Sequence, residues 1–334
     1  MSVSYPARMR AVFLTNYESA ALSVDSTDVP SLKPGDVLVK MAAASINPSD
    51  LVFLRNQYGI QKKLPVVPGF EGSGTVVAAR AGFYGRWLLG KRVACRAPED
   101  GHGTWAQYMV CPASNCVPLR RHVSLEAGAS LLVNPLTAWS FLKLARRGGH
   151  RGIVQTAAAS ALGRMIDRLG RRHGFEIINI VRRREQASIL SSQGARHILN
   201  CADPDFEEKL RELAERLRAT LTLDAVGGGL TAVLARAMPK DGWIIVYGAL
   251  AGENCQISPR DLIFGGRNLS GFWLTRRIAR MNWPERLWMV YRVQSYLHAD
   301  LRTDVQARYP LEKVTEAIDF YKQRRSDGKV LLTP

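Results

Sequence analysis

The sequence lacks any apolar run long enough to span a membrane, because arginines interrupt every candidate stretch. Its first ten residues are also too short and too polar to form a signal peptide ahead of a first strand that begins at Met9. We therefore expect a cytoplasmic protein that makes no membrane contact. With 334 residues, of which 46% are hydrophobic and 22% charged, the chain is long enough for two domains with separate cores.

Cysteine and histidine are scarce, with five and six copies respectively. No two cysteines are spaced C-x-x-C, and the pair Cys111 and Cys116 has no histidine at ligand spacing. A tetrahedral zinc site takes three or four such ligands. The number and spacing of the cysteines therefore favour free thiols over disulfides and give no local zinc motif.

Acidic residues are also few, since 29 Asp and Glu stand against 46 Lys and Arg and leave a net charge of +17. The pI near 10.0 predicts a surface that attracts anions, including nucleic acids, acidic carrier proteins and phosphorylated cofactors. The basic residues are spread along the chain, often as pairs such as Arg120-Arg121, without a basic tail or interleaved aromatic motif. A nucleic-acid partner is therefore not favoured, although a cofactor-binding protein that mainly recognises RNA remains an alternative.

The most informative stretch is a βαβ unit that runs from Gly152 to Arg184. Apolar runs at 152–156 and 176–181 suit buried parallel strands, and small residues between them open an amphipathic helix. The tight turn before this helix presents backbone N–H groups and the positive helix end, which suit a pyrophosphate. The usual G-x-G-x-x-G signature is nevertheless missing, because only Gly163 of its glycines remains.

Three consecutive arginines, Arg182, Arg183 and Arg184, follow the second strand of this unit. A dinucleotide fold that prefers NAD places an acid there to hold the ribose 2′-hydroxyl. Arginines suit a 2′-phosphate instead, so the sequence predicts NADPH as the cofactor. The alternative is a solvated basic turn, in which one or more of the three point to solvent.

The two parts of the chain differ in pattern. Up to about residue 125, short alternating runs separated by Gly and Pro turns predict a compact, barrel-like β domain. From Ser124 onward, strands alternate with helices, which predicts a parallel, doubly wound sheet.

Four short motifs occur in a fixed order along the chain. They are Asn47-Pro48-Ser49-Asp50, Pro68-Gly69-Phe70-Glu71-Gly72-Ser73-Gly74, Asn134-Pro135-Leu136-Thr137-Ala138 and Leu223-Asp224-Ala225-Val226-Gly227-Gly228. Together they resemble the medium-chain dehydrogenase/reductase superfamily over essentially the whole length. The resemblance implies an α/β fold with a GroES-like, β-rich catalytic domain (1–125 and 272–334) and a Rossmann NADP-binding domain (126–271). It also implies a homodimer that pairs through the edge-strand region 243–274.

The chain departs from the zinc-containing members of that superfamily. Those members carry a Cys before the first helix and a His within a Gly-His-Glu motif, whereas this chain has Asn47-Pro48-Ser49-Asp50 and Phe70. We therefore expect no bound metal and a zinc-free reductase, of either the 2-enoyl thioester or the quinone branch. Three segments favour the enoyl thioester branch: 56–59, 134–139, and 262–264 together with 271–274.

The resemblance also implies a set of functional residues. Tyr58 matches the catalytic tyrosine of the enoyl branch, with packing on Phe53 or Leu54 as the structural alternative. Ala161 stands where enoyl reductases usually have Gly, which is tolerable only if its φ is negative. The implied cofactor contacts are Asn134, Ala159, Ser160, Ala161, Leu162, Arg182, Arg183, Arg184, Tyr247, Gly248, Ala249, Leu250, Phe272, Trp273, Leu274 and Lys329. We interpret Asp50 as a structural cap, and Trp273 as either a pocket wall or a core or interface aromatic.

The expected reaction is reduction by NADPH of the C=C bond of an α,β-unsaturated carbonyl, with a trans-2-enoyl thioester as the favoured substrate. Tyr58 would donate a proton or stabilise the enolate. The alternative is a quinone or alkyl enone reductase in which no protein acid is essential. The sequence does not choose between coenzyme A and an acyl carrier protein as the thioester carrier.

Overall fold

The computed structural model describes residues 5–324 and 326–334, apart from the side chain of Trp283. The chain forms two compact units, Met1–Val133 with Arg302–Pro334, and Asn134–Leu301.

Strands make up much of both units. In chain order, the strands of the described residues are β1 (Arg8–Asn16), β2 (Ala21–Asp28), β3 (Asp36–Ser45), β4 (Glu71–Ala79), β5 (Arg92–Arg96), β6 (Tyr108–Pro112), β7 (Cys116–Pro118), β8 (Gly152–Gln155), β9 (Glu176–Val181), β10 (His197–Asn200), β11 (Ala219–Asp224), β12 (Trp243–Val246), β13 (Asn268–Gly271), β14 (Val305–Pro310) and β15 (Lys329–Thr333).

Helices are concentrated in the second unit. Those of the described residues are α1 (Pro48–Phe53), α2 (Phe83–Leu88), α3 (Leu125–Gly128), α4 (Asn134–Arg147), α5 (Ala161–Arg172), α6 (Arg184–Ser192), α7 (Phe206–Arg216), α8 (Gly229–Ala237), α9 (Pro259–Ile263), α10 (Leu274–Ala279), α11 (Trp283–Gln294) and α12 (Val314–Gln323). Two 3₁₀ turns accompany them, Ala113–Asn115 and Leu311–Lys313.

The second unit is built on a six-stranded parallel sheet with the order β10-β9-β8-β11-β12-β13. In chain order this is the 3-2-1-4-5-6 arrangement of the doubly wound dinucleotide-binding fold. Every residue of β8 and five of the six residues of β9 are buried, as expected where helices cover both faces of a sheet. The predicted Rossmann sheet is thereby confirmed.

The first unit contains a mixed sheet with the order β14-β15-β3-β4-β5-β7, in which β6 also pairs with β3. Its core includes Leu14, Leu38 and Trp105, and the hairpin of β1 and β2 packs on it. The last strand, β15, lies between β14 and β3, so the end of the chain returns to the first unit. This arrangement confirms the predicted β-rich domain and the predicted return of the chain.

The boundaries of the units differ from the predicted ones at 125/126 and 271/272. Residues 272–301 belong to the second unit, because α11 packs on α4 with Trp139 and Trp288 ring centroids 6.0 Å apart and Lys143 Nζ 3.4 Å from Glu285 Oε1. Residues 126–133 belong to the first unit. The carboxylate of Glu71, in the same unit, accepts hydrogen bonds from the backbone N–H groups of Leu132 and Val133 at the end of this segment.

The five cysteines are all free, as the sequence predicted, although Cys111 Sγ and Cys116 Sγ lie 3.6 Å apart. Among the helices of residues 5–324 and 326–334, none is both long and apolar enough to cross a membrane.

Candidate functional site

The predicted pyrophosphate turn lies at the carboxyl end of β8. Ser160 is the N-cap of α5, and its Oγ accepts a hydrogen bond from the Gly163 N–H at 3.1 Å. Ala161 and Leu162 are in the first turn of α5. Because φ at Ala161 is not positive, alanine is tolerated at this position in place of the usual glycine. The unusual backbone is at Ala157 instead, where φ is +49°. Left-handed backbone at a non-glycine residue costs about 1–2 kcal/mol, so the turn is held by its surroundings.

Gly163 is the remaining glycine of the signature, and packing explains why it remains. A Cβ atom at this position would lie 2.4 Å from Ala158 O and 2.7 Å from Ala158 Cα. Its own backbone is fixed at both ends, because its carbonyl accepts from Gln155 Nε2 at 2.9 Å while its N–H donates to Ser160. This is the role of the third glycine in the usual motif, which is close packing of the helix against the turn.

A buried polar network lies beneath this turn and was not predicted from the sequence. Gln155 Nε2 donates to Asn179 Oδ1 at 2.6 Å, and Asn179 Nδ2 donates to Asp167 Oδ1 at 2.9 Å. The three side chains join β8, β9 and α5, and each is nearly or completely buried. The available signal was the polar residue inside each apolar strand, Gln155 in β8 and Asn179 in β9, which suggests a partnered group inside a core; Asp167 lies in the amphipathic helix α5 and carried no such signal.

Asp224, at the end of β11, organises the neighbouring turn in a similar way. Its carboxylate accepts from Thr156 Oγ1 at 2.9 Å, from Thr231 Oγ1 at 2.8 Å and from the Val226 N–H at 2.9 Å. The motif Leu223–Gly228 therefore fixes the carboxyl ends of β8 and β11 relative to each other.

The three arginines lie at the end of β9, as predicted, and all are exposed. Arg183 is the N-cap of α6, and Arg184 is the first residue of that helix. Within residues 5–324 and 326–334, none of the three guanidinium groups lies within 4.0 Å of a carboxylate. They therefore form an uncompensated donor set at the strand end where a 2′-phosphate would bind.

The carboxyl end of β12 carries Tyr247, Gly248, Ala249 and Leu250. The Tyr247 ring packs on Phe141, with centroids 5.0 Å apart, and its hydroxyl is buried with no hydrogen-bond partner in the described chain. Burial, together with Asp224, raises the pKa of Tyr247, so this hydroxyl is a protonated donor without an acceptor. An orphaned buried donor at this end of a doubly wound sheet fits a ligand that supplies the missing acceptor.

The remaining predicted residues of this unit occupy three further positions. Asn134 is 8% exposed at the start of α4. Phe272 packs on Phe141 with ring centroids 4.6 Å apart. Trp273, 38% exposed, is the N-cap of α10, and Leu274 is its first residue. Trp273 is therefore not a core aromatic, which leaves the pocket-wall and interface interpretations.

In the first unit, Tyr58 lies in the loop after α1 and is half-buried. Its ring packs on Phe70, with centroids 4.8 Å apart and an interplanar angle of 39°. Phe70 in turn meets Phe53 edge-on at 5.5 Å. The residue that replaces the zinc-ligand histidine of the family motif thus forms an aromatic support for the predicted catalytic tyrosine.

Lys329 is the first residue of β15 and is buried inside the first unit. Its ammonium donates to Asn47 Oδ1 and to the Ile46 carbonyl at 3.5 Å. Burial lowers the pKa of Lys329, against the opposing pull of the nearby carboxylates of Glu71 and Asp50. Lys329, which was predicted to contact the cofactor, therefore has hydrogen-bond partners within its own unit.

Glu71 is the centre of this buried cluster, and sequence reasoning did not single it out although it lies within a quoted motif. Oε1 accepts from Ser45 Oγ at 2.9 Å and from Asn47 Nδ2 at 3.0 Å. Oε2 accepts from the N–H groups of Leu132 and Val133 at 2.9 and 3.0 Å. Glu71 thus fixes the last residues of the first unit before α4, which explains where the boundary falls.

Asp50 acts as the structural cap that the sequence predicted. Its carboxylate accepts from the Asn47 N–H at 2.7 Å and from the Phe70 N–H at 3.0 Å, which joins α1 to the start of β4. Burial raises the pKa of Asp50 to about 7.

Within the described ranges, no group of three or more His, Cys, Asp or Glu side chains is placed to hold a metal ion.

Two family models match the chain. Residues 33–121 match an alcohol dehydrogenase GroES-like domain, and residues 161–290 match a zinc-binding dehydrogenase domain. Among proteins of known function, the human mitochondrial enoyl-[acyl-carrier-protein] reductase is 30% identical over 285 residues, which are 81% of this chain and 74% of the human protein.

Solved structures give the same architecture. A protein from Mesorhizobium loti, provisionally assigned as an NADPH:quinone reductase, superposes with a TM-score of 0.92 at 34% identity and covers 99% of this chain and 100% of its own. A mutant form of the enoyl thioester reductase from Candida tropicalis superposes with a TM-score of 0.80 over 98% of this chain and 100% of its own. At 21% identity, that second likeness concerns the fold alone. The fold, the motifs and these matches show that the chain belongs to the medium-chain dehydrogenase/reductase family, in its branch of enoyl and quinone reductases.

Proposed function

We propose that this protein is an NADPH-dependent, zinc-independent reductase of the C=C bond of α,β-unsaturated thioesters, carried by coenzyme A or an acyl carrier protein. One observation carries the choice of reaction. By the resemblance of its motif, Phe70 stands where zinc-dependent members carry a metal ligand, and its ring packs on Tyr58, so the phenol of Tyr58 is the candidate proton source at this motif. The likeness to mitochondrial enoyl reductases supports a thioester substrate.

The residues of the second unit fit a nicotinamide dinucleotide. The Ser160-capped end of α5 suits the pyrophosphate, Arg182 and Arg184 suit the 2′-phosphate, and the orphaned hydroxyl of Tyr247 suits an acceptor on the ligand. NADPH, when bound, supplies the reducing equivalents. The protein binds and orients the reactants and excludes water.

The contribution of the protein to the chemical step is electrostatic. Reduction at the β-carbon builds negative charge on the thioester oxygen, and a positioned hydrogen-bond donor stabilises that charge. Tyr58 donates to the developing enolate or transfers its proton to the α-carbon, since a phenol hydroxyl is both a hydrogen-bond donor and a general acid. The Phe70 ring limits the positions that the Tyr58 ring can adopt.

A second candidate is reduction of quinones or alkyl enones. The 34% identity to the Mesorhizobium loti structure, provisionally a quinone reductase, favours it. In that case no protein acid is essential, and Tyr58 serves mainly to pack on Phe70.

The test measures NADPH oxidation with a trans-2-enoyl-CoA, a simple quinone and an alkyl enone. We expect Tyr58→Phe to reduce kcat with the enoyl thioester by about 10²–10⁴-fold, the usual contribution of a general acid. Tyr309→Phe is the matched control, because Tyr309 is a half-buried tyrosine of the same unit that packs on Phe320. Quinone turnover that is indifferent to Tyr58→Phe, with no thioester turnover in the wild type, would establish the second candidate.

We also propose that the protein is a homodimer that pairs through β13. In the described chain this strand is bonded to β12 on one side only, it lies at the edge of the sheet, and it exposes Leu269. Such an edge is a template for pairing with another chain. Light scattering after size exclusion that gives the mass of one chain at micromolar concentration would refute this proposal.

A further inference from the structure

At the amino ends of its strands, on the side opposite the pyrophosphate turn, the parallel sheet has a cavity of about 670 Å³. Arg151 directly precedes β8, Phe175 directly precedes β9 and Arg218 directly precedes β11, and all three line the cavity. Because the strands are parallel and adjacent, these residues lie at the amino ends of three neighbouring strands. Cofactors of doubly wound folds bind at the carboxyl ends, so the family activity does not account for this cavity.

Its lining is strongly basic. Four arginines line it, namely Arg146, Arg151, Arg216 and Arg218. In the part of the chain that the structure describes, none of them lies within 4.0 Å of a carboxylate. The acid in the lining, Glu176, already meets His197, with Oε2 and Nε2 3.1 Å apart.

Helix dipoles account for only part of this charge. The carboxyl ends of α4, α5 and α7 lie at the same end of the sheet as the cavity. Basic residues in the last turn of a helix stabilise it by their interaction with the helix dipole. Each helix end is worth about half a negative charge, so the three together offset about one and a half of the four positive charges. Even with Glu176 counted in full, the cavity keeps a net positive charge.

In a neighbouring cavity, two of the arginines are paired with carboxylates. It has a volume of about 510 Å³, shares Gly174, Phe175 and Glu176 with the first, and is also lined by arginines. There, however, Arg171 pairs with Asp167 at 2.8 Å and Arg172 pairs with Asp300 at 3.1 Å. In the first cavity the acid in the lining, Glu176, meets His197 instead, so the four arginines remain available to an external anion.

The backbone at Arg218 gives a second, independent observation. Its φ is +49°, immediately after the C-cap of α7. Glycine is the usual residue at such a position, and an arginine there costs about 1 kcal/mol or more. Arg218 therefore lines the cavity at a position where the backbone conformation favours glycine.

Of the two histidines that line the cavity, His150 and His173, the second lies next to Arg146. Burial lowers the pKa of His173, and the charges of Arg146 and Arg172 lower it further. His173 Nδ1 lies 3.0 Å from Arg146 Nη2, so the neutral ring accepts a hydrogen bond from the guanidinium and orients it.

We propose that this cavity is a second anion-binding site, for a small ligand that carries a phosphate ester or a diphosphate. Its volume lies within the roughly 300–1,000 Å³ range of small-molecule sites. Planar guanidinium groups match the oxygens of a phosphate in pairs, which favours phosphate over a monovalent ion. A depression lined by four arginines that are not paired with carboxylates suits a small anion, and the experiment distinguishes such a ligand from an acidic protein.

The test titrates inorganic diphosphate into the full chain saturated with NADP⁺, so that the cofactor site is occupied, and measures heat and melting temperature at constant ionic strength. We expect saturable binding to the wild type. Arg218→Gly should weaken this binding at least tenfold without lowering the melting temperature, because glycine suits the backbone at this position. Arg151→Gln should weaken it similarly, whereas Arg121→Gln, which removes an equal charge from the first unit, should leave it unchanged.

Three outcomes would overturn the proposal. They are no saturable binding to the wild type, equal weakening in Arg121→Gln and the cavity variants, and binding of an acidic protein that depends on Arg218 while diphosphate does not bind. The last outcome would assign the surface to protein docking instead. A melting temperature that falls in Arg218→Gly would contradict the backbone argument separately.

Discussion

Replacing Gly163 with alanine tests whether the packing of helix α5 against the turn after β8 sets cofactor affinity. The added methyl group would lie 2.4 Å from Ala158 O and 2.7 Å from Ala158 C. These are backbone atoms of the turn and not the end of a flexible side chain. The substitution must therefore move either the turn or the start of the helix.

The magnitude follows from what holds the two together. Overpacking of a close contact costs about 1–3 kcal/mol. Moving the helix start also weakens the hydrogen bonds from Gly163 N–H to Ser160 and from Gln155 to Gly163 O, each worth about 1 kcal/mol. Alanine returns about 1 kcal/mol through its higher helix propensity. We expect a net loss of about 2–4 kcal/mol in the free energy of unfolding.

Gly170 supplies a matched control in the same helix. A Cβ atom there would meet Ile177 Cδ1 at 2.6 Å, which is the far end of a side chain that can change rotamer. Gly170→Ala gains the same helix propensity, so we expect it to change stability by less than about 1 kcal/mol.

The assay is urea unfolding of both variants, combined with titration of NADP⁺ by calorimetry. We expect Gly163→Ala to weaken NADP⁺ binding at least tenfold, because the displaced turn presents its N–H groups in the wrong place, and Gly170→Ala to bind normally. If the two variants unfold alike and bind NADP⁺ alike, the turn is not held by this contact and the reasoning is wrong.

Three further predictions concern charge. Arg182→Ala with Arg184→Ala should raise the Kd for NADP⁺ about 10–100-fold while leaving that for NAD⁺ unchanged, since a charged hydrogen bond is worth about 1.5–3 kcal/mol; equal losses for both nucleotides would exclude a 2′-phosphate role. Glu71→Gln should lower the free energy of unfolding, measured with urea, by about 3–5 kcal/mol, because it leaves Lys329 with less counter-charge and turns an amide N–H toward backbone donors. A decrease of less than about 1 kcal/mol would indicate that Glu71 is already protonated. Because the pKa of Asp50 is raised from 3.8 to about 7, the native state holds a proton that the unfolded chain releases, so unfolding free energy should fall as pH rises from about 4 to 7. Asp50→Asn should flatten that pH dependence, and an unchanged slope would assign it to other groups.

Much of this molecule follows from local pattern. The apolar runs at β8 and β9 are buried on both faces, and a run of that kind has few places in a fold other than a covered parallel sheet. The arginines after β9 lie at its end because strand, turn and helix follow each other without a break. The capping role of Asp50 is equally local, three residues after Asn47. In each case the interacting groups are close in sequence.

Other features depend on partners that are far apart in sequence. Strand β14 was not predicted, although Val305, Ala307 and Tyr309 alternate with polar residues, because this short run becomes a strand by pairing with β15, about twenty residues further along the chain. Residues 272–301 join the second unit because α11 packs on α4, across more than a hundred residues. No local pattern encodes either pairing.

The buried polar groups make the same distinction at the level of single side chains. The sequence by itself determined that Lys329, Glu71 and Gln155 stand within or beside apolar runs, and hence that each needs a partner. Only the tertiary structure decided that Lys329 meets Asn47, 282 residues away, and that Glu71 binds the backbone at Leu132. The physical reason is that burial fixes the need for a hydrogen bond locally, whereas the fold alone brings the partner within reach.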